Sequence, residues 1–226
     1  MSADLRNWTP RPRPERIVIE GRYVRLEPLD PASHGEELFQ ASHASHSQER
    51  FRYLFEQAAS DRAVFDAWLE KSAASEDPLF FAVVDQATGK VVGRQALMRI
   101  DPNNGVAEIG NIYWGPNLSR TPGATEAMFL FARTVFDLGY RRYEWKCNNS
   151  NEPSKRAAER FGFTFEGVFR QHMIQKGENR DTAWFSMLDS EWPALKAAYD
   201  AWLDPSNFDE AGSQKRRLQD MVKRPA

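Results

Sequence analysis

Short apolar stretches alternate along the chain with amphipathic ones, and the period of each predicts its element. Ile17-Val18-Ile19 and Tyr23-Val24-Arg25-Leu26 flank Glu20-Gly21 and read as a short hairpin or bulged strand. Asp30-Pro31 offers a cap followed by a proline in the first turn, which predicts a helix over 31–45. Val64, Trp68 and Leu69 recur at helical spacing after Ser60 or Asp61, predicting a second helix over about 60–74. The period then shortens. Leu79–Val84, Lys90–Ile100 and Val106–Trp114 read as three strands separated by turn clusters, an antiparallel meander. Gly115–Pro122 is a loop. Ala124, Ala127, Met128, Phe131, Val135 and Leu138 mark one face of a helix ending at Gly139. Arg142–Cys147 is a strand, Pro153–Arg160 a short helix, Thr164–Phe169 and Thr182–Leu188 two strands, and Trp192–Leu203 a last helix. Strands and helices in this order predict an α+β sheet with helices covering its faces.

Composition narrows the class. The 226 residues suit one globular domain, taken as 17–204, between appended ends. Pro10, Pro12 and Pro14 exclude residues 1–16 from an inner strand and make them a peripheral arm. Residues 205–226 form a basic tail: from Gln214 onward it carries five Lys/Arg against one Asp and reads as solvated. With 30 Lys+Arg against 32 Asp+Glu, the net charge of −2 argues against bulk nucleic-acid binding. No apolar run approaches the roughly 20 residues of a membrane span, and the start lacks a signal peptide's apolar stretch. The single Cys147 excludes an internal disulfide framework. A soluble, cytoplasmic protein is expected. His43 and His46 stand at helical spacing with no Cys or Asp beside them and read as a solvated face, so no metal is expected. Cys147 ends a core strand and reads as a small apolar residue rather than a nucleophile.

Two segments carry chemistry. In 108–127 a strand runs through a turn containing Pro122-Gly123 directly into a helix. Unpaired amides at a helix start, with the helix dipole behind them, make an anion site, and the small Gly123 and Ala124 leave room for a phosphate. A tight turn with no ligand is the equal alternative. Neither a P-loop nor a G-x-G-x-x-G fingerprint is present. The second segment, 145–163, places Asn149 or Asn151 as cap of the helix near Pro153, with Ser154 in its first turn facing the preceding strand.

Strand, turn, helix, strand, then N-x-x-S-x-x-A-A-x-x-x-G-F resembles the GNAT acetyltransferase superfamily, in particular its RimJ/RimL-like branch of ribosomal-protein N-terminal alanine acetyltransferases. Gly21-Arg-Tyr-Val-Arg-Leu-Glu-Pro-Leu resembles that branch's first strand, and the likeness covers roughly 17–190. It implies a mixed, mostly antiparallel, twisted sheet of about seven strands with helices on both faces. A central parallel pair, 106–114 and 142–147, would splay apart to admit acetyl-CoA. The family's Q/R-x-x-G-x-G/A signature lies on either 120–125 or 119–124, both imperfectly; the second register is preferred. Either way, Ser119, Arg120, Thr121, Gly123, Ala124 and Thr125 become the diphosphate loop. Pro122 has no N–H, so the amides of Gly123, Ala124 and Thr125 would serve. The backbone of Ile112, Tyr113 and Trp114 would pair with the pantetheine amides, and Asn151 and Ser154 would line the thiol end.

The family's tyrosine seven residues after the Asn is Ala158 here. Ser154 is therefore the candidate for donating to the leaving thiolate, as acid or as hydrogen-bond donor only. An amine attacks a thioester as its free base, so a carboxylate must take its proton. Glu108 is the candidate, with an exposed strand glutamate as the bland reading. Asn111 to Tyr113 would offer a backbone donor to the oxyanion. Lys155, Arg156 and Arg160 either touch phosphates or are solvated. Trp8, Phe51, Tyr53, Phe55 and Trp114 either line the acceptor pocket or belong to the core. The implied activity is transfer of acetyl to a primary amine: a protein N-terminus, an amino acid or a small amine. The alternative is a catalytically degenerate acyl-CoA sensor. The likeness also implies a homodimer through the C-terminal strands.

Overall fold

Segments rich in β-branched and aromatic residues lie side by side in the computed structural model, which describes residues 5–43 and 47–222. Eight strands form one sheet: β1 (Ile19–Glu20), β2 (Val24–Pro28), β3 (Leu79–Asp85), β4 (Val91–Asp101), β5 (Val106–Trp114), β6 (Arg142–Asn148), β7 (Thr164–Gln175) and β8 (Glu178–Leu188). Their order across the sheet is β1-β2-β3-β4-β5-β6-β8-β7. Every neighbouring pair is antiparallel except β5 with β6, which are parallel. The helices are α1 (Pro31–Ser42), α2 (Ser47–Phe51), α3 (Arg62–Ala74), α4 (Pro122–Asp137), α5 (Glu152–Arg160), α6 (Trp192–Trp202) and α7 (Leu218–Met221).

Local chemistry accounts for most of these bounds. The Asp30 carboxylate accepts from the Ser33 amide at 2.7 Å and caps α1. Asp61, not Ser60, caps α3, accepting from the Val64 amide at 3.0 Å. Successive strand residues face opposite sides of the sheet, and both sides are covered. Phe81, Ile109, Phe131 and Tyr199 share one core with α4 and α6. Leu38, Phe65, Leu69, Phe80 and Ala96 form a second core with α1 and α3. Glu126 joins α4 to the first hairpin: its buried carboxylate accepts from the amides of Arg22, Tyr23 and Val24 at 2.8, 2.6 and 2.8 Å. A Cβ on Gly21 would stand 2.6 Å from that carboxylate, so the hairpin needs glycine there.

Three expectations change. The strand count is eight rather than about seven, because the first hairpin contributes two strands. β7 and β8 run much longer than 164–169 and 182–188. They join at Lys176 (φ 53°) and Gly177 (φ 82°), the left-handed pair of a tight two-residue hairpin. Side chains near that tip are mostly exposed on both faces, so no alternation marks the strands in the sequence. The tail is not simply solvated: Leu218 is fully buried, Met221 and Val222 pack on the main core, and Phe208 bridges to Gln214. Its Lys and Arg residues mask a sparse apolar pattern. The arm lies along the β4–β5 turn, where the Arg11 amide donates to the Pro102 carbonyl at 3.0 Å. No helix among the described residues is long and apolar enough to cross a membrane.

One feature of the sheet positions the site. β5 and β6 are paired from Val106↔Arg142 to Ile109↔Trp145 and no further, although β5 continues to Trp114 and β6 to Asn148. Beyond Ile109 the two strands part.

Candidate active site

The parting strands border a cavity of about 890 Å³, which extends from the turn before α4 to the segment 53–55 and the inner face of β8. It has two differently built ends.

At the first end, β5 turns into α4. Arg120 adopts φ 66°, and Thr121 caps the helix, its Oγ1 accepting from the Ala124 amide at 3.4 Å. Pro122 occupies the first turn, and Gly123 follows with an amide that a helix leaves without an internal partner. Arg160 of α5 reaches this end, donating from Nη1 to Thr125 Oγ1 at 3.0 Å. Burial lowers its pKa, so an anion brought here would relieve a desolvated charge. The residues and the dipole of a sixteen-residue helix suit a diphosphate.

At the fork, Trp145 donates its indole N–H to Ser154 Oγ at 3.0 Å, and Asn151 caps α5 by accepting from the Ser154 amide at 3.2 Å. This leaves the Ser154 proton free to be donated. Burial pushes the pKa of the nearby Cys147 thiol up, with Ser154 opposing the shift in lesser measure. A thiol held protonated fits the apolar reading of Cys147.

At the second end, on the sheet face opposite α4, side chains gather from distant segments. Glu108 is buried and paired with Lys146 Nζ at 2.7 Å and with Arg99 Nε at 2.7 Å. Desolvation lowers the pKa of Lys146, with Glu108 opposing that shift. Arg180 of β8 is 6% exposed; its Nη1 donates to Gln175 Oε1 at 3.1 Å and its guanidinium lies 4.9 Å over the Phe55 ring. Gln175 in turn donates to the carbonyls of Tyr53 and Leu54 at 3.1 and 3.0 Å, and the Tyr53 hydroxyl donates to the Ser150 carbonyl at 3.1 Å. The segment after α2 thus straps the cavity, held by the β7–β8 hairpin and by the loop before α5.

The cavity wall includes Glu108, Ile112, Tyr113, Trp114, Ser119, Arg120, Thr121, Ala124, Thr125, Asn151 and Ser154. Gly123 is not in it. Its missing Cβ would sit 2.9 Å from Val24 and 3.2 Å from Leu118, so glycine is required by packing beneath the helix rather than by room for phosphate. The Trp114 carbonyl accepts from Arg50 Nη1 at 2.7 Å and from Ser119 Oγ at 3.0 Å, so the protein itself already uses it. Of the three basic α5 residues, Arg160 alone lines the cavity; Lys155 pairs with Glu152. Trp8 packs against Gly105, and Phe51 stacks on Tyr113, so neither lines this cavity. Glu108 is buried and doubly paired, not an exposed strand glutamate. Among the described residues no group of three or more His, Cys, Asp or Glu could hold a metal; His46 lies outside them.

Arg50, Arg99, Lys146 and Arg180 were not singled out in the sequence. Glu108, Lys146 and Arg180 share a sheet face by strand parity and register, but only the pairing of β5, β6 and β8 reveals it.

Known proteins resemble the chain at both levels. The family model for the acetyltransferase (GNAT) domain matches residues 24–164. A crystal structure of a GCN5-related N-acetyltransferase from Brucella melitensis is 68% identical, with a TM-score of 0.95 over 96% of this chain and 99% of that one. RimL, a ribosomal alpha-N-protein acetyltransferase solved in complex with coenzyme A, shares the fold at 18% identity, with a TM-score of 0.65 over 76% of this chain and 98% of that one. The uncharacterized N-acetyltransferase p20 of Bacillus licheniformis is 29% identical over half of this chain, and the match spans 63% of that relative's length. The parted parallel strands, the helix-start turn and the family match together place this chain in the GNAT acetyltransferase family, as an acyltransferase.

Proposed function

We propose that the protein transfers acetyl from acetyl-CoA to a primary amine by direct attack, both substrates being bound together. The observation that carries this reading is the parting of β5 and β6 after Ile109 and Trp145, which leaves an opening between the two faces of the sheet. The turn before α4 lies on one side, and Glu108 with its cations on the other. RimL holds coenzyme A in the same fold, which supports the choice of donor.

Acetyl-CoA supplies a thioester carbonyl. Gly123, Ala124, Thr125 and Arg160 take its diphosphate, and the free edge of β5 at Ile112 and Tyr113 takes its amide-bearing arm. Asn111, at φ 49°, marks an irregularity in β5 beside the fork, and in this reading a backbone amide there donates to the carbonyl oxygen. Glu108 receives the amine proton, directly or through water, as nitrogen bonds to the carbonyl carbon and the C–S bond breaks. Lys146 and Arg99 fix its orientation, so accepting a proton loosens one of those pairs. Ser154 donates to the departing sulfur; Trp145 polarises its hydroxyl, and Ala158 offers none. No covalent intermediate on the protein is needed.

Mixing the purified protein with acetyl-CoA tests the reading. A thermal shift, followed by free-thiol release with some member of a panel of amino acids, peptides and small amines, is expected. Binding without turnover of any amine would support the sensor alternative; absence of binding would remove the reading.

A further inference from the structure

We infer that the amine acceptor carries a carboxylate and that Arg180 receives it. This deepens the transferase reading above and rests on it. Among the described residues of the cavity wall seven are charged: six are cations, and Glu108 is the one carboxylate. Arg160 and Arg120 stand at the diphosphate end, and Arg50 donates from Nη1 to the Trp114 carbonyl and to Ser119 of the turn at that same end, its buried Nε unpartnered. That leaves Arg99, Lys146 and Arg180 at the acceptor end, and the first two are already paired with Glu108.

Arg180 is different. It is more than nine-tenths buried, lines the cavity, and has no carboxylate within ion-pair distance among the described residues. Its one hydrogen bond goes to a neutral oxygen, on Gln175, and its buried Nε has no partner. A buried cation without an anion is costly, and a guanidinium presents its donors in a plane that matches a carboxylate. The site is also built to hold it still: Gln175 is tied to the strap at Tyr53 and Leu54, and Phe55 covers the guanidinium face. Arg180 shares with Glu108 and Lys146 the sheet face opposite α4, away from the turn before that helix. The same excess of cations repels polyamines and aminoglycosides.

Kinetics with acetyl-CoA at saturation test this in two arms: free amino acids against their α-amides, and tetrapeptide amides with an acidic against a neutral first residue. The expected result is a kcat/KM preference of about 100-fold for the carboxylate in one of the arms, and the arm that shows it says whether the group comes from a free amino acid or a peptide side chain. In Arg180→Gln that preference should fall at least tenfold; Arg180→Lys, which keeps charge but not the fork, should retain part of it. Acetyl-CoA binding reports folding of each variant, and if neither folds, the wild-type ratio decides. A wild-type ratio near one, or a ratio that Arg180→Gln leaves in place, overturns the inference while leaving the transferase reading intact. Thermal stabilisation by the acid but not the amide, with CoA present, tests Arg180 even if no turnover is seen; failure to bind acetyl-CoA strikes the transferase reading alone.

Discussion

The two ends of the cavity are made of different material. The end proposed for the diphosphate is largely backbone: one turn and the start of one helix, contiguous over 119–125, with Arg160 added from α5. The end proposed for the acceptor is side chains from segments far apart, Tyr53 to Phe55, Arg99, Glu108, Lys146 and Arg180, brought together by strand register. A backbone site depends on the path of the chain and tolerates change in the side chains around it. A side-chain site is only as good as each group in it, so one substitution can alter chemistry or selectivity without disturbing the cofactor.

The sharpest way to break this division is Glu108→Gln. It should lower kcat about 100- to 1,000-fold while the acetyl-CoA dissociation constant moves by less than about threefold. A matching loss of cofactor affinity would mean that the two ends are one site. Arg160→Gln probes the reverse: acetyl-CoA affinity should weaken about tenfold, ~1.4 kcal/mol, with a far smaller change in kcat at saturation, both read from initial rates. Thr121→Ala removes the cap of α4 and should cost about 1 kcal/mol of stability, seen as a drop of a few degrees in melting temperature and a slight weakening of cofactor binding; a large kinetic effect would show that the side chain matters beyond the helix start.

The smallest effect serves as a control away from both ends. Arg142 holds the Glu166 carboxyl below its usual range, with Ser186 assisting. A carboxyl whose pKa is lowered on folding adds stability above its unfolded value and loses it as pH falls through its folded one. Glu166→Gln should therefore flatten the decline of stability below about pH 4.5, measured by urea unfolding across the acid range, and leave the kinetics near neutrality alone.

Legibility follows the same division. Glu108–Ala127 and Trp145–Phe163 are legible because each encodes its local structure: a strand ending, a cap, a proline in the first turn and small residues. The Asn151 cap and the place of Ser154 in the first turn of α5 agree with that local reading. The packing that requires glycine at 123 is not legible locally, since its neighbour Val24 is almost a hundred residues away. Arg180 carried no signal, because a strand arginine looks like solvated surface until its neighbours are known. The 170–181 hairpin tip falls outside both expected strands, since backbone pairing holds it and apolar alternation does not.

The amino-acid sequence by itself determined the order of strands and helices, the caps, and the proline-led start of α4, because these depend on residues within a turn or two of one another. The tertiary structure alone decided where β5 leaves β6, which charges meet across the opening, and that Arg180 is buried with no carboxylate partner among the described residues. Those are matters of register between strands distant in the chain, and register is fixed by the packing of the whole sheet.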